Sequence, residues 1–271
     1  MTKILKGTHI DPLYEGTFSV GLDKKFNRID RDDPPAKGAL KISLNPFLIK
    51  TEERNYLFDV GIGDFGEDTS TEIIKENLDK HQLTEYDITD IFASHLHYDH
   101  IGGLAGQSSG HWELTFPEAA LWVSKKGWEK ALALNEYYDE EKTKFLHFLD
   151  AKANLHFLDE EDQPYAEISV KKIGGHTEFS QVLLFDDGNQ KYLMAGDVLA
   201  TRGEVNRKFA AKYDFDAKTS MKMRKELTQK ACEEKYIIMG YHDSHYPLFK
   251  LTDYDEKQGY TIQNIEADVP A

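Results

Sequence analysis

The sequence predicts a mixed α/β fold in which two β-sheets pack face to face and helices cover their outer surfaces. Apolar segments of strand length occur in runs, helices with one apolar face lie between these runs, and glycines and polar turns separate the elements. At 271 residues the chain is long for an average domain, but sheet-based folds of this length often form one large core. No internal repeat interrupts the pattern, and we therefore expect a single domain over residues 1–271.

The first part of the chain is predicted to hold strands and one helix. Each apolar segment is bounded by glycine or polar residues, as strands usually are. The helix is indicated by Ile73, Ile74 and Leu78, which recur at helical spacing behind a Ser/Thr start. The predicted elements are strands at 40–49 and 55–60, a helix at 70–80 and a strand at 88–94.

The pattern of strands and helices continues to residue 240. One helix has Phe145, Phe148 and Leu149 on one face and charged residues on the other. The last helix follows Asp216, and aspartate at an N-cap often accepts hydrogen bonds from the first helical turn. The predicted elements are a strand at 119–123, helices at 125–134 and 140–149, strands at 168–173, 181–185 and 192–195, a helix at 218–234 and a strand at 236–240.

Charge and cysteine content limit the partners and the compartment. The formal net charge is −15, from 33 Lys and Arg against 48 Asp and Glu, and such a surface repels nucleic acids and anionic lipid head groups. Since no apolar segment is long enough for a membrane span or a signal peptide, and Cys232 has no internal disulfide partner, we expect a cytoplasmic protein. We expect neither a nucleic-acid nor a membrane partner, and a homodimer is one oligomeric state that the sequence leaves open.

The strongest local signal is the segment 94–103, Ser-His-Leu-His-Tyr-Asp-His-Ile-Gly-Gly, which directly follows an apolar strand. Three imidazoles and a carboxylate fall within six residues: His95, His97, Asp99 and His100. Both groups bind zinc well, and the alternating side chains of such a turn can serve two neighbouring metals. The alternative is a polar loop whose histidines contact only water, but so dense a group among the 11 histidines of the chain favours a metal site.

A metal site needs more ligands than one turn supplies, and three further residues meet this need. Each stands just beyond a predicted strand: His176 after 168–173, Asp197 after 192–195 and His242 after 236–240. Loops at one rim of a β scaffold commonly supply the residues of a single site. We therefore expect these three side chains to lie beside the 94–103 segment.

These segments together resemble the signature of the metallo-β-lactamase-fold hydrolase superfamily. Five elements match in the family's order between residues 56 and 242: Asp59 in Phe-Asp-Val-Gly, the box at 95–100, His176 in Gly-His-Thr, Asp197 in Gly-Asp, and His242. The box with its spaced partners is a specific match, whereas any one partner alone would be a weak one. The resemblance implies a four-layer αββα sandwich with the active site on one rim of the β-sandwich.

The resemblance implies two divalent metal ions per chain, with zinc expected and iron, manganese or cobalt compatible with the same ligands. It assigns His95, His97 and His176 to one metal, Asp99, His100 and His242 to the second, and Asp197 as a bridge between both. Asp59 is similar to the family's acid behind the ligand loop, which orients the ligands and binds no metal.

Two of these assignments keep an alternative. Asp59 could instead form a turn ahead of Gly61. His245 competes with His242 for the last ligand position, and we favour His242 because it stands directly at the end of the predicted strand.

The mechanism that the resemblance implies is hydrolysis by a hydroxide that bridges the two metals and attacks a carbonyl polarised by one of them. Asp99 is the nearest group to carry a proton to the departing alkoxide, which makes it the expected catalytic residue. No Ser or Cys nucleophile is needed, and Cys232, inside a predicted helix, is expected to be structural.

Within the superfamily the chain is most similar to the group of lactone hydrolases and organophosphate hydrolases. Residues 116–124 and 214–216 resemble segments of that group. Flavo-di-iron members have Glu where His97 stands, true β-lactamases usually lack an acid like Asp197, and glyoxalase II and persulfide dioxygenases usually have Pro-Gly-His where 178–180 is Glu-Phe-Ser. We expect cleavage of a lactone or related ester, with a phosphotriester or another small ester as the alternative, and nuclease action or an inert metal-binding scaffold as weaker ones.

The group that assists the leaving oxygen is open in the sequence. Acyl-homoserine-lactone hydrolases tend to have a Tyr shortly after the bridging acid, but residues 198–200 are Val-Leu-Ala here. Tyr213 or Tyr241 could replace that Tyr, or the assistance is absent.

Aromatic residues are dense between 112 and 148. The stretch 137–148 is a candidate lid or acyl-chain pocket beside the metals, and His111 could also reach such a pocket. Ordinary core packing is the alternative, and it is the one that we expect for Trp122 and Trp128.

Overall fold

The computed structural model describes residues 5, 7–135, 140–209, 211 and 213–266, with the backbone alone at residue 135. The strands are β1 (His9–Pro12), β2 (Gly16–Val20), β3 (Phe26–Ile29), β4 (Leu40–Leu44), β5 (Phe47–Lys50), β6 (Asn55–Phe58), β7 (Asp90–Phe92), β8 (Ala105–Ser108), β9 (His111–Leu114), β10 (Ala120–Ser124), β11 (Asn154–Leu158), β12 (Glu161–Tyr165), β13 (Ile168–Lys172), β14 (Gln181–Asp186), β15 (Lys191–Met194), β16 (Ile237–Met239), β17 (Leu248–Asp255) and β18 (Gly259–Ile265). The helices are α1 (Thr71–Lys80), α2 (Tyr98–Ile101), α3 (Lys125–Asn135), α4 (Glu140–Lys152) and α5 (Ala217–Glu233).

Two large sheets form the centre of the molecule. The first has the strand order β1-β5-β6-β7-β10-β11, and the second runs in sequence order from β12 to β18. Successive side chains of a strand point to opposite faces of its sheet. In β6, Tyr56 and Phe58 therefore belong to the core between the sheets, whereas Leu57 belongs to a second core with residues of α1, α3 and α4.

The second sheet is buried on both faces in the same way. Leu183 and Phe185 of β14 join the core between the sheets, whereas Val182 packs in a third core with Leu227 of α5. The order of layers is thus α1, α3 and α4, then the two sheets, then α5. This confirms the predicted four-layer αββα sandwich.

The predicted strand 40–49 is two strands in the structure. β4 pairs with β2 in a three-stranded sheet of order β3-β2-β4, and β5 pairs with β1 and β6 in the first large sheet. The chain changes sheets at Asn45 and Pro46, where the missing N–H of proline interrupts the ladder. The buried Asn45 amide then donates to the carbonyl oxygens of Tyr241 and Asp243 at 2.8 and 2.9 Å, which fixes the loop that carries His242.

The predicted helices are confirmed, and α4 continues three residues beyond its predicted end. The predicted N-cap of α5 is confirmed as well, because the Asp216 carboxylate accepts hydrogen bonds from Lys218 N and Thr219 N at 3.0 and 3.1 Å. None of the helices in the described part of the chain combines the length and the apolar character that crossing a membrane requires.

The strand directions bring several loops to one edge of the sandwich. β6, β7, β10 and β11 are parallel neighbours in the first sheet, and β15 and β16 are parallel in the second. Loops that follow parallel strands start at the same edge, and ligand sites commonly form there. Asp59 follows β6, the 94–103 segment follows β7, Asp197 follows β15 and His242 follows β16.

Candidate metal centre

The seven predicted ligands lie together at this edge, in two groups. The first group is His95, His97, His176 and Asp197, and the second is Asp99, His100 and His242. Within each group, the ligand atoms are all within 4.8 Å of one another. The structure therefore brings together every residue that the sequence predicted to bind metal.

The first group is an array of imidazole nitrogens. Nδ1 of His97 lies 3.0 Å from Nε2 of His95 and 3.0 Å from Nε2 of His176. The other ring nitrogen of His95 lies 3.0 Å from Ser94 Oγ, and that of His176 lies 3.1 Å from Asp214 Oδ1. A carboxylate can only accept, so the Nδ1 of His176 donates and its Nε2 presents a lone pair to the centre.

The second group has the same arrangement. Nδ1 of His100 donates to Asp59 Oδ2 at 2.6 Å, and Nδ1 of His242 donates to the carbonyl oxygen of Ser43 at 2.9 Å. Because both partners are acceptors, both rings carry their proton on Nδ1 when neutral. Their Nε2 lone pairs then face inward, which is the tautomer that a metal ligand requires.

The Asp197 carboxylate lies between the two groups. Its Oδ1 is 3.1 Å from Nε2 of His100 and 3.0 Å from Nε2 of His242, and its Oδ2 is 3.2 Å from Nε2 of His176. Oδ1 of this carboxylate thus faces the imidazoles of the second group, and Oδ2 faces an imidazole of the first.

Buried polar atoms without hydrogen bonds test whether this centre fits a cation. Nε2 of His100, Nε2 of His242 and Oδ1 of Asp197 are buried and make no hydrogen bond with the described residues, although they lie so close together. An unsatisfied buried polar atom costs about 1–3 kcal/mol. Imidazole nitrogens and a carboxylate oxygen that converge in a buried place without hydrogen bonds are the donor set of a divalent metal, and the residues present therefore fit one.

Charge at the centre favours a cation as well. Burial lowers the pKa of His95 well below its usual value, so this ring is neutral and able to bind metal. Burial acts in the same direction on His100, but the carboxylates of Asp99, Asp197 and Asp59 outweigh it and raise the pKa of His100 well above its usual value. These carboxylates attract positive charge, so a divalent ion binding here would displace a proton from His100.

Asp59 supports the start of the ligand loop. Its carboxylate is 1% exposed and accepts from Ser94 N at 2.6 Å, Ser94 Oγ at 2.7 Å and His100 Nδ1 at 2.6 Å. Its φ of 55° lies in the left-handed region, which aspartate tolerates better than most residues. Of the two alternatives that the sequence left open, the structure shows the contact with the ligand loop, because these hydrogen bonds all come from residues 94 and 100.

Gly196 lets the Asp197 loop approach the 94–103 segment. Its φ is 48°, and a Cβ atom built on it would lie 2.7 Å from Ser94 Oγ and 3.4 Å from His95 Nδ1. Only glycine combines this backbone conformation with such a close approach. The Gly-Asp pair therefore places the carboxylate of Asp197 between the two groups.

His242 and His245 occupy different environments. His242 is 7% exposed and lies in the second group. The side chain of His245 is 44% exposed, and its Nε2 lies 3.5 Å from Asp32 Oδ1. Of the two residues that the sequence left in competition, the structure places only His242 beside Asp99 and Asp197.

Tyr241 and Tyr213, the two tyrosines considered as donors to the leaving group, also differ in their exposure to solvent. The hydroxyl of the fully buried Tyr241 donates to Asp99 O at 2.6 Å and accepts from Gly61 N at 3.1 Å, and its ring stacks on His100 at 4.2 Å. Tyr213 is 55% exposed, and its ring lies 5.9 Å from that of His176. Of the two tyrosines, Tyr213 is thus the one whose side chain is open to solvent.

The aromatic stretch near α4 is largely core in its described part. Phe145 is buried and packs edge-on against Phe65 and Trp112, with ring centroids 5.1 and 5.2 Å apart. Trp128 is 1% exposed and donates to Asp150 Oδ1 at 2.9 Å, so its predicted core role is confirmed. Tyr137 and Tyr138, which belong to the predicted lid, lie outside the described residues.

Two carboxylates beside the centre were not predicted from the sequence. Asp214 contacts His176 as described above. Glu15 is 5% exposed and accepts from Ile62 N at 2.9 Å and Gly63 N at 3.2 Å, and burial raises the pKa of Glu15 to about 8. The sequence gives no motif for either contact, because each acid is far along the chain from the residue that it contacts.

Comparison with known proteins supports the family that the sequence suggested. The model of the metallo-beta-lactamase superfamily matches residues 43–240, which is well over half of the chain. A hydroxyacylglutathione hydrolase from Haemophilus ducreyi is 28% identical over 137 residues, covering 51% of this chain and 46% of the relative. The match thus spans about half the length of this curated relative.

Solved structures share the fold at low sequence identity. A probable metal-dependent hydrolase from Staphylococcus aureus has a TM-score of 0.77 at 22% identity, covering 98% of this chain and 99% of that one. AidC, described as a dizinc quorum-quenching lactonase in complex with its product, has a TM-score of 0.76 at 22% identity, covering 97% and 96%. The family model, which matches residues 43–240, shows that the chain belongs to the metallo-beta-lactamase superfamily.

Proposed function

We propose that the chain is a binuclear hydrolase that cleaves a lactone or a related small ester. The observation that carries this proposal is the position of Asp197, whose two oxygens face two separate groups of imidazole nitrogens at 3.0 to 3.2 Å. A carboxylate in this position can bridge two ions. We propose His95, His97 and His176 as the other ligands of the first ion, and Asp99, His100 and His242 as those of the second.

Zinc is the ion that we expect in both positions. Imidazole nitrogens dominate both groups, and zinc prefers a small number of nitrogen and carboxylate ligands. Iron, manganese and cobalt bind similar sets, so cellular supply also decides. The chemistry that two bound ions supply is activation of a water molecule and polarisation of the carbonyl under attack.

Asp99 is our proposed proton carrier. Its Oδ2 lies 3.5 Å from Nε2 of His100 and 3.6 Å from Nε2 of His242, and its side chain keeps 12% of its surface exposed. Asp99 therefore lies within reach of the second group and keeps slight access to solvent. A carboxylate in that position can take the proton from the attacking water and return it to the alkoxide that leaves.

Tyr213 is our proposed donor to the leaving oxygen. Burial and the nearby carboxylates of Glu204, Asp197 and Asp214 raise the pKa of Tyr213 to about 12. The phenol thus keeps its proton at neutral pH and can donate a hydrogen bond to a developing alkoxide. A donor aimed at developing charge stabilises the transition state more than the ground state.

A small ester or lactone fits what the relatives act on. AidC is described as a lactonase and the curated relative as a hydroxyacylglutathione hydrolase, and neither description names a macromolecular substrate. The net charge of −15 repels polyanions, which also disfavours a nucleic-acid substrate.

A substrate panel on metal-loaded protein tests this proposal. The panel holds N-acyl-homoserine and simple aliphatic lactones, aryl esters, a phosphotriester and hydroxyacylglutathione, each with the wild type, Asp197→Ala and Glu226→Gln. Glu226 is a control because its carboxylate is 54% exposed and lies on α5. We expect lactone or ester turnover by the wild type and the control, and a loss of at least about 100-fold in Asp197→Ala, since the bridge acts on both ions.

Metal analysis of the same samples separates the parts of the proposal. We expect about two ions per wild-type chain by elemental analysis, in line with two ligand groups. Turnover of the phosphotriester alone would overturn the lactone or ester assignment in favour of the alternative. A wild type that binds no metal, or that stays inactive on the whole panel after reconstitution, would contradict the proposed function.

A further inference from the structure

A buried carboxylate behind the first group has no assigned role in metal binding so far. Asp214 lies in the loop that leads into α5, and its side chain is 1% exposed. Its Oδ1 accepts from Nδ1 of His176 at 3.1 Å, whereas its Oδ2 is buried and makes no hydrogen bond with the described residues. A carboxylate removed from water with one hydrogen bond is costly unless a positive charge lies beside it.

The positive charge beside Asp214 comes through the imidazole of His176. A neutral ring would leave the buried carboxylate without compensation, whereas a ring bound to a dication at Nε2 becomes a strong, charge-assisted donor at Nδ1. The hydrogen bond between Asp214 and His176 is therefore strongest when a cation is bound at Nε2 of His176.

Backbone hydrogen bonds fix the position of Asp214 relative to His176. Phe215 N donates to His176 O at 3.0 Å, and Asp216 N donates to Gly175 O at 2.8 Å. Both donors are backbone N–H groups, so a change of the Asp216 side chain leaves these two bonds in place. Together with the bond between the two side chains, three hydrogen bonds thus join the loop that carries Asp214 to the turn that carries His176.

From this geometry we infer that Asp214 is a positioning residue for His176, and that it sets the affinity of the first group for its metal ion. It fixes the Nδ1–H tautomer and the plane of the ring, so that Nε2 points at the ion. The second group does not depend on Asp214, because His100 has Asp59 and His242 has the Ser43 carbonyl as acceptors. The inference rests on the ligand assignment in the proposed function.

Metal competition is the test, with Zn²⁺ or Co²⁺ as the only probe and a chromophoric chelator as the competitor. Variants Asp214→Asn and Asp214→Ala are compared with wild type and Asp216→Ala. Asp216→Ala is the matched control, since it removes a neighbouring carboxylate and weakens the start of α5 but leaves Asp214 in place. We expect one of two ions to bind roughly 10-fold more weakly in Asp214→Asn and roughly 100-fold more weakly in Asp214→Ala.

A spectroscopic readout separates positioning from a general loss of structure. The Nδ1–H resonance of His176, followed by ¹⁵N-edited NMR of the zinc-loaded protein, should shift in Asp214→Asn and stay unchanged in Asp216→Ala. Asp214→Glu should restore part of the metal affinity, because it keeps the anionic acceptor.

Each outcome distinguishes this inference from the proposed function. Unchanged affinity for both ions in Asp214→Ala, with a wild type that binds two ions and turns over substrate, would overturn the inference alone. A parallel loss of both ions in Asp214→Ala and Asp216→Ala would overturn it too, because it would indicate damage to the fold. The expected loss of one ion in a protein that cleaves none of the panel substrates would support the inference and contradict the proposed function.

Discussion

Two buried carboxylates, Asp59 and Asp214, accept hydrogen bonds from the proposed imidazole ligands, and each acts on a different set of them. Asp59 serves both groups, because it contacts His100 directly and His95 through the Ser94 hydroxyl, which donates to Asp59 Oδ2 and accepts from His95 Nδ1. Asp214 serves His176 alone. A change at Asp59 should therefore reach both ions, whereas a change at Asp214 should reach one.

The substitution Asp59→Asn tests this difference. Asparagine tolerates a positive φ nearly as well as aspartate, so backbone strain adds little. Its NH₂ group would face donors in either orientation, namely Ser94 N at the position of Oδ1, or both the Ser94 hydroxyl and Nδ1 of His100 at the position of Oδ2. Buried donors would then be left unsatisfied at about 1–3 kcal/mol. We expect a loss of about 10-fold or more in the affinity of both ions, together with a lower free energy of unfolding.

Chelator competition and urea unfolding of Asp59→Asn, run beside Asp214→Asn, check this expectation. Wild-type affinity of the Asp59 variant for both ions would contradict it. Loss of the same single ion in both variants would show that Asp59 does not serve the two groups.

Among larger units, the turn after β6 supports α2, the short helix that carries Asp99 and His100. Two backbone hydrogen bonds of 2.8 and 3.1 Å join the turn 60–63 to residues 100–103. A Cβ atom on Gly102 would lie 2.1 Å from Ile62 O, so the two backbones are in direct contact there. Glu15 holds this turn from behind through the N–H groups of residues 62 and 63.

The protonation of Glu15 should make the stability of the fold depend on pH. Burial raises the pKa of Glu15 from 4.5 to about 8, so between these values the folded chain holds a proton that the unfolded chain releases. The unfolded state then binds fewer protons, and the contribution of Glu15 to stability falls as pH rises through this window. Each unit of pKa difference corresponds to about 1.4 kcal/mol, so the fall amounts to on the order of a few kcal/mol.

Glu15→Gln removes this dependence, because glutamine resembles the protonated acid and does not titrate. We expect urea unfolding at pH 5.5, 7.0 and 8.5 to show the variant gaining stability relative to the wild type as pH rises. Glu226→Gln, at an exposed position, should follow the wild type at all three values. Parallel curves for Glu15→Gln and wild type would rule the effect out.

The central strands and the ligands could be predicted from the sequence, because their signals are local. A buried strand such as β14 is a short apolar run, and the 94–103 segment is dense in ligands. β17 was not predicted, since only its first half is buried and the residues from Thr252 onward are exposed and polar. The break at Pro46 was missed as well, because one apolar run there serves two different sheets.

The supporting carboxylates could not be predicted for a different reason. Asp214 and His176 are 38 residues apart, and Glu15 and Ile62 are 47 apart. Only the packing of the two sheets and α5 brings these pairs together. The partner of a single acid cannot be recognised from the sequence when it lies far along the chain. The Asp216 N-cap, by contrast, was predicted because it bonds to residues two and three positions ahead.

Across the molecule, the centre joins the two sheets. His95, His97, Asp99 and His100 follow β7 of the first sheet, whereas His176, Asp197 and His242 follow β13, β15 and β16 of the second. The net charge of −15 favours cations over anions around the molecule as a whole. The single domain over residues 1–271, the homodimer and the cytoplasmic location stay predictions.

Because each proposed ion has ligands on both sheets, metal binding should stabilise the sandwich as a unit. A ligand that binds only the folded state at 100 times its Kd adds about 2.7 kcal/mol, so two ions add about 5.4 kcal/mol, which corresponds to roughly 10–20 °C in Tm for a chain of this size. We expect chelator-treated wild type to unfold that much earlier than zinc-loaded wild type, and added zinc to restore the transition. Asp197→Ala should show a clearly smaller metal-dependent shift, since the residue between the two groups is gone. Identical transitions with and without zinc in the wild type would mean that no ion links the sheets, and that the seven side chains are held together by the fold alone.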